Sequence, residues 1–256
     1  MSKRSAAQKE ADAFCDFLGG FNSSYALASA AETAEAAQTA RLLPDFFRGY
    51  KQAIDCWRQD QESKADDFSL FGVMELTGSE IRHSMILAWL LDWDMTSHGT
   101  HAQGNLGFRL FLQEFKLPVE YAEGAYLVQR ERSGDEARID VEVAEPRKFV
   151  IHIENKIWSG ESVDQTDREW RDLEKRAESL DCPIDRCHAF YLTPDGRKPL
   201  NKDFYAISWR RMADVFKRFE REAKAAEVKL FARHYAKVLK RHIIQKTLKE
   251  ENNDVD

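Results

Sequence analysis

The residue types best suited to chemistry lie around one short segment, FVIHIENK, at residues 149–156. This apolar run ends in Glu154 and Lys156, which stand two residues apart, so in an extended strand both side chains leave the same face. Carboxylates bind hard cations such as Mg²⁺, which neutralise phosphate and lower the pKa of a bound water, and an ammonium can position that water. With Asp140 in the preceding segment RIDVEV, the set is suited to metal-dependent hydrolysis of phosphodiesters.

Three strands must bring these groups together. Alternation of apolar and polar residues predicts strands at about 125–132, 137–143 and 148–155. In the last two, apolar residues occupy odd positions, while Asp140 and Glu154 occupy even ones. If these strands are antiparallel neighbours, a register that joins their apolar faces also places both acids on one face. The Glu-x-Lys spacing alone is weak, because it occurs five times in the chain, but only this instance ends an apolar strand.

Further elements complete a mixed α/β sheet. A helix is predicted over about 162–180, followed by strands at 187–193 and 205–209. Because a crossover helix separates the strand at 187–193 from the strand at 148–155, we expect that strand to lie parallel to a central one. The order α-β-β-β-α-β therefore predicts a mixed sheet flanked by helices.

Two helices are predicted ahead of the strands. The segment GSEIRHSMILAWLLDW at 78–93 predicts an apolar helix, with Ser79 as its N-cap and Glu80 in its first turn. A second helix is expected over about 105–116. A carboxylate at the Glu80 position could favour the helix dipole or point into a site.

The ends of the chain form separate regions. Ala-, Glu- and Gln-rich sequence predicts helices at about 5–18, 24–42 and 45–62, with breaks at Gly19-Gly20 and Leu43-Pro44. This arm could be a helical cap or a surface for a partner. We expect the following organisation: an N-terminal helical extension at 1–64, a core at 65–210, basic helices packed on the core at 211–249, and a loose tail at 250–256.

Composition favours a protein with one substantial core. The 256 residues are 43% hydrophobic, and the net charge of −6 argues against nucleic acid as a partner. Residues 210–249, however, carry 13 Lys and Arg against four Asp and Glu, a local charge of +9. This segment is either a basic face that grips phosphates or a solvated face with ion pairs.

Location is predicted from what the sequence lacks. The four cysteines form no C-x-x-C pair, and we interpret them as reduced thiols. The N-terminus has no apolar core typical of a signal peptide, and no apolar run approaches the roughly 20 residues of a membrane span. The sequence therefore predicts a cytoplasmic protein without a membrane association.

At the residues described above, the chain resembles the PD-(D/E)XK nuclease superfamily, which has the restriction-endonuclease-like fold. The pair ID at 139–140 and the triplet ENK at 154–156 match its signature. SEIRHSMILAWLLDWDMTSHG and ENKIWSGESVDQ are similar to one bacterial family within it, over roughly residues 70–210. Two departures are that Ile rather than Pro precedes Asp140, and that Gln165 is not in the Gln-x-x-x-Tyr spacing of recombination-type exonucleases.

This resemblance implies roles for particular residues. Catalytic roles fall on Asp140, Glu154, Lys156 and Gln165, the last at the rim of the site on the crossover helix. Metal-binding roles fall on Glu80, Asp140, Glu154 and the backbone carbonyl of Asn155. The implied cofactor is Mg²⁺, for which Mn²⁺ would substitute.

Other candidates have simpler explanations. His98 and His101 have HxxH spacing, but no Cys or further His stands nearby at zinc-ligand spacing. We interpret His152 as a packed residue or one that supports the site. Trp158 either packs or stacks on a base, and Glu161 either orients a metal-bound water or decorates a helical turn.

Our first functional hypothesis is a Mg²⁺-dependent DNA endonuclease that acts in bacterial or phage defence. It could act as a homodimer or with a partner protein that binds the N-terminal arm. The second hypothesis is a nucleic-acid-binding subunit whose nuclease site is idle or is activated by a partner. A third is a helical interaction protein in which the sheet is only a scaffold.

Overall fold

The chain divides into two units, Met1–Asp67 and Phe68–Asp256, and each is described by itself. The computed structural model describes residues 6–29, 34–65 and 68–244. The predicted loose tail at 250–256 and part of the helix predicted over 24–42 lie outside these residues. Within the described ranges, no helix is both long and apolar enough to cross a membrane.

The first unit contains two helices, α1 (Ala6–Ser29) and α2 (Ala34–Lys64), which pack through aromatic side chains. The ring of Phe17 stacks on those of Phe46 and Tyr50, with centroids 5.0 and 5.9 Å apart. Early residues of α1 share a groove with late residues of α2, and later residues of α1 meet earlier ones of α2. The two helices are therefore antiparallel.

The predicted helix breaks at Gly19-Gly20 and Leu43-Pro44 are wrong, because both positions lie inside helices. A glycine costs about 1 kcal/mol in a helix interior, and packing of the neighbouring Phe17 on α2 offsets that cost. Pro44 is exposed, so water can reach the carbonyl that loses its hydrogen-bond donor.

The second unit is built on a five-stranded sheet with spatial order β1-β2-β3-β4-β5. The first three strands are antiparallel neighbours, whereas β4 and β5 run parallel to β3. Their bounds are β1 (Leu127–Ser133), β2 (Arg138–Glu145), β3 (Phe149–Asn155), β4 (Cys187–Thr193) and β5 (Phe204–Ser208). This mixed sheet with flanking helices confirms the predicted fold class.

The helices of this unit follow the predicted order. Ser79 caps α4 as predicted, since its hydroxyl accepts a hydrogen bond from the Arg82 amide at 3.4 Å. The bounds are α3 (Leu70–Val73), α4 (Glu80–Leu91), α5 (Leu106–Phe115), α6 (Gln165–Ser179), α7 (Trp209–Glu222) and α8 (Ala226–Val238), followed by a π-helical turn at Leu239–Ile244. Short 3-10 turns at Val119–Glu123 and Ile184–Arg186 precede β1 and β4.

The two faces of the sheet pack against different helices. The larger core lies on the face that carries Val141, Val143 and Ile151, which pack with apolar residues of α4, α5, α7 and α8. The opposite face packs on α6 through a smaller cluster that includes Tyr191 and Leu173. Helix α6 therefore covers the face on which the predicted acids lie.

A buried carboxylate on α6 holds the turn between β1 and β2. Asp172 is 3% exposed and accepts hydrogen bonds from the backbone amides of Asp135, at 3.0 Å, and Ala137, at 2.7 Å. A Cβ atom on Gly134 would lie 2.2 Å from an oxygen of Asp172, so the close approach requires glycine. Asp172 thus anchors the β1–β2 hairpin, which carries Asp140, to the crossover helix α6.

We expect Asp172→Ala to lower the free energy of unfolding by about 2 kcal/mol, because it leaves several turn amides without their charged acceptor. Urea denaturation would measure the change. Asp135→Ala is the matched control, since that side chain is 75% exposed and pairs with Lys175 at the surface. Equal losses in the two variants would contradict the role assigned to Asp172.

Candidate active site

The ends of β2 and β3 bring Asp140 and Glu154 together. Val141 pairs with Ile153, and continuing this register by one residue places the two acids opposite each other. An oxygen of Asp140 accepts a hydrogen bond from the backbone amide of Asn155 at 2.9 Å. Asp140 is partly exposed and Glu154 is buried, so the pair lies where the sheet meets solvent.

Lys156 lies beside this pair, just past the end of β3. Its ammonium nitrogen is 2.9 Å from Oε1 of Glu154. Burial lowers the pKa of Lys156, but the acidic groups of Glu154, Glu80 and Asp140 together outweigh it, so the pKa is raised overall. The side chain is therefore a protonated, partly buried cation at the site.

Gln165, the first residue of α6, links several polar groups. Its amide nitrogen donates to Oε1 of Glu154 at 2.6 Å and to Oε1 of Glu169 at 2.7 Å. Its carbonyl oxygen accepts a hydrogen bond from the amide of Ser162 at 3.3 Å. Gln165 thus fixes the carboxylate of Glu154 with one end and the preceding loop with the other.

Two acids near the site were missed by sequence reasoning. Glu169 is 2% exposed and lies one helical turn after Gln165, a spacing that could have revealed it once Gln165 was a candidate. Glu131 on β1 stands opposite Asp140 when the register of β1 and β2 is followed. Its positive φ of 51° interrupts the regular strand, and no pattern in the sequence indicates it.

Crowding and burial make these carboxyl groups hard to ionise. Burial, reinforced by the charge of Glu154, raises the pKa of Asp140 to about 7. Burial and the charge of Glu169 raise the pKa of Glu154 to about 8. Burial likewise raises the pKa of Glu169 to about 7. One ammonium, that of Lys156, does not balance three acids.

Glu80 contacts the loop that follows β3. Its Oε1 accepts hydrogen bonds from the amides of Ile157 at 2.7 Å and Trp158 at 3.2 Å, and from the hydroxyl of Ser159 at 2.8 Å. Burial opposes ionisation of Glu80, but these hydrogen bonds lower its pKa overall. Its metal-binding role stays a prediction.

The side chain of Asn155 has a structural role that sequence reasoning missed. Its amide nitrogen donates to the backbone carbonyl of Glu80 at 3.1 Å and to the hydroxyl of Ser84 at 3.2 Å. Its carbonyl oxygen accepts from the indole of Trp209 at 3.0 Å. Asn155 therefore joins the end of β3 to α4 and α7. The role predicted for its backbone carbonyl stays a prediction.

Two loops form the rim on one side of the site, residues 157–164 and 194–203. Glu161 contacts the hydroxyl of Thr166 and accepts a hydrogen bond from the amide of Leu200 at 2.9 Å. Arg197 donates to the carbonyl of Ser159 at 2.6 Å. Glu161 thus ties the two loops together, and Trp158 on the first loop is 39% exposed.

The remaining candidate residues are placed as structural groups. His152 is buried, with a ring nitrogen 2.9 Å from Glu142, which also binds Arg176. His101 accepts a hydrogen bond from the amide of Gln103 at 2.9 Å and packs on aromatic rings. Over residues 6–29, 34–65 and 68–244, no three His, Cys, Asp or Glu side chains form a group that could hold a metal ion.

A family model of the PD-(D/E)XK nuclease superfamily matches residues 68–253. The chain belongs to this superfamily. No curated protein and no solved structure matches the chain. As a PD-(D/E)XK protein it is placed among the nuclease hydrolases, which act on nucleic acid and typically use divalent metals.

The donor set of this PD-(D/E)XK chain fits a hard divalent cation with few protein ligands. Asp140 and Glu154 offer carboxylate oxygens, and their mutual repulsion would fall if a cation lay between them. Mg²⁺ keeps several waters and is commonly held by one or two carboxylates together with substrate phosphate.

We expect the metal-free protein to lose stability as pH rises from about 4 to about 8. The folded pKa values of Asp140 and Glu154, about 7 and 8, exceed the ordinary values of 3.8 and 4.5. Their stabilising contribution is therefore complete below the ordinary values and is lost as pH passes the folded ones.

Thermal unfolding in EDTA across this pH range measures the effect, and the double variant Asp140→Asn/Glu154→Gln is the comparison. The double variant should show a shallower decline, and Glu169, whose pKa is also raised to about 7, accounts for the part that remains. A decline of equal steepness in both proteins would show that other groups cause it.

Proposed function

We propose that the protein is a Mg²⁺-dependent endonuclease that cleaves DNA. The observation that carries this proposal is the meeting of Asp140 and Glu154 at adjoining strand ends, with the ammonium of Lys156 2.9 Å from Glu154. Membership of the PD-(D/E)XK superfamily supports the reaction class.

Each residue has a distinct role in this proposal. Asp140, Glu154 and the backbone carbonyl of Asn155 would hold the metal, which when bound supplies charge neutralisation and lowers the pKa of a bound water. Lys156 holds a proton at Nζ and can position the attacking water or stabilise charge on the phosphate. Gln165 keeps Glu154 oriented through their 2.6 Å hydrogen bond.

An endonuclease is favoured over a recombination-type exonuclease by one position on α6. Those exonucleases carry Tyr four residues after the Gln, whereas this chain has Glu169 there. Glu169 is buried against Gln165 and directs an acid, rather than a phenol, toward the site.

DNA as the substrate is supported by the basic C-terminal helices. Several of their cations are paired with acids, for example Arg211 with Glu114 and Arg233 with Glu220. Other exposed cations, including Arg210, Arg221 and Lys224, could contact phosphates. Some cations of this surface are therefore neutralised by ion pairs, while other, exposed cations could bind phosphates.

The setting that we propose is the bacterial cytoplasm, with a role in defence against foreign DNA. Four free cysteines suit a reducing compartment, and the similarity to a bacterial family suggests the role. A homodimer or a partner protein could use the first unit, where Phe46, Phe47 and Trp57 are exposed.

A second candidate function is a nucleic-acid-binding subunit whose site is idle until a partner acts. The observation that favours it is the position of Glu80, whose Oε1 is engaged by the loop after β3. In this alternative the protein binds nucleic acid without cutting it.

Cleavage of supercoiled plasmid in Mg²⁺ or Mn²⁺ tests the first proposal. We expect Glu154→Ala and Lys156→Ala each to lower the rate at least about 100-fold, because each removes charge that stabilises the transition state. Glu62→Ala and Lys64→Ala are matched controls, since this pair has the same spacing but is exposed on helix α2 of the first unit.

The controls should cut like the native protein. Equal cutting by all five proteins would place the activity elsewhere or in a contaminant and overturn the site assignment. If the native protein leaves plasmid, linear DNA and single strands intact but cuts RNA, the substrate assignment is wrong. Binding without any cutting would favour the second candidate.

A further inference from the structure

The loop after β3 directs four hydrogen-bond donors at one oxygen of Glu80. The backbone amides of Ile157, Trp158 and Ser159 lie 2.7, 3.2 and 3.3 Å from Oε1, and the Ser159 hydroxyl lies 2.8 Å from it. Successive amides that converge on one point form a nest, which is a common anion-binding arrangement. We call these three residues the 157–159 nest, and its present occupant is a carboxylate of the same chain.

Two cations lie beside the 157–159 nest at the edge of the site. Lys156 immediately precedes it, and Arg197 donates to the carbonyl of Ser159 at 2.6 Å, which brings a guanidinium to the same loop. Trp158 and Ser159 are exposed, so an anion from solvent can approach their amides. The ring of Trp158 offers an apolar surface beside these donors.

The side chain of Glu80 can leave the nest without unfolding its helix. The backbone of α4 is held separately, because the amide of Asn155 binds the Glu80 carbonyl at 3.1 Å and Ser79 caps the helix. Glu80 lies in the first turn of α4 and is only partly buried. Release of its carboxylate therefore breaks side-chain contacts alone.

We infer that the 157–159 nest binds a phosphate of the nucleic-acid backbone, and that the Glu80 carboxylate occupies that phosphate's place in the free protein. Both groups present anionic oxygen to the same donors, so they compete for them. This inference rests on the proposed function. It gives the nucleic-acid substrate a second phosphate contact, next to the phosphate that is cleaved. Substrate would bind by displacing Glu80, which frees that carboxylate for the metal-binding role predicted from the sequence.

Two measurements in EDTA test the inference on the full chain. The first follows the amide NMR signals of Ile157, Trp158 and Ser159 during titration with inorganic phosphate. The second is the affinity for a short fluorescent DNA duplex. In Glu80→Ala we expect phosphate to shift these signals at about tenfold lower concentration than in the native protein, and DNA to bind about tenfold more tightly.

Asp164→Asn is the matched control for loss of one negative charge. Asp164 belongs to the same loop, is exposed and makes no hydrogen bond that caps α6, and its φ of 54° suits Asn. We expect a change of less than about twofold. A gain in DNA affinity equal to that of Glu80→Ala would show a general charge effect and overturn the inference.

The remaining outcomes also decide the question. If phosphate fails to shift the three amides in a Glu80→Ala protein whose loop is folded, the nest is not an anion site. If that loop melts, judged by amide exchange, Glu80→Gln replaces it, because its oxygen still accepts while the charge is gone. Phosphate must then act at lower concentration than in the native protein, or the inference is wrong. Phosphate binding is measured in EDTA, independently of cleavage. A protein that cuts no nucleic acid but binds phosphate at the nest would contradict the nuclease proposal and not this inference.

Discussion

The hydrogen bonds of the Asn155 side chain connect the parts on which the site depends. This buried amide is the last residue of β3, and it joins the strand to the backbone of α4 and to Trp209 at the start of α7. A buried amide that lost these partners would carry a large desolvation cost, so the strand end and both helices are held in one arrangement. With Asn155 turned into the larger core, Glu154 turns to the opposite face and toward α6.

Because side chains alternate along β3, neighbouring residues point to opposite faces of the sheet and have different roles. The odd-numbered Phe149, Ile151 and Ile153 build the larger core, whereas the even-numbered residues face α6, Val150 within the smaller apolar cluster and His152 and Glu154 as polar groups. This arrangement explains how a segment as apolar as FVIHI can deliver a carboxylate. It also explains the raised pKa of Glu154, because the residue remains in the protein interior, where burial and the charge of Glu169 both disfavour ionisation.

Much of the second unit could be predicted because its local patterns agree with its tertiary contacts. The parity of Asp140 and Glu154, the cap at Ser79 and the parallel strand β4 each follow from a short-range rule. The first unit behaved differently, because packing between helices overrode the propensities of Gly19 and Pro44. The side-chain role of Asn155 and the position of Glu131 depend on contacts between distant segments, which one sequence does not reveal.

Because α6 covers one face of the sheet, the loops at the strand ends can influence which nucleic acids reach the site. Because α6 covers that face, the acids adjoin solvent at the strand ends, where the loops at 157–164 and 194–203 are tied together by Glu161. Loop residues line this side of the entrance to the proposed site, while its two acids, Asp140 and Glu154, sit on strands. Changes in loop length could therefore alter which nucleic acids enter while leaving the chemistry intact.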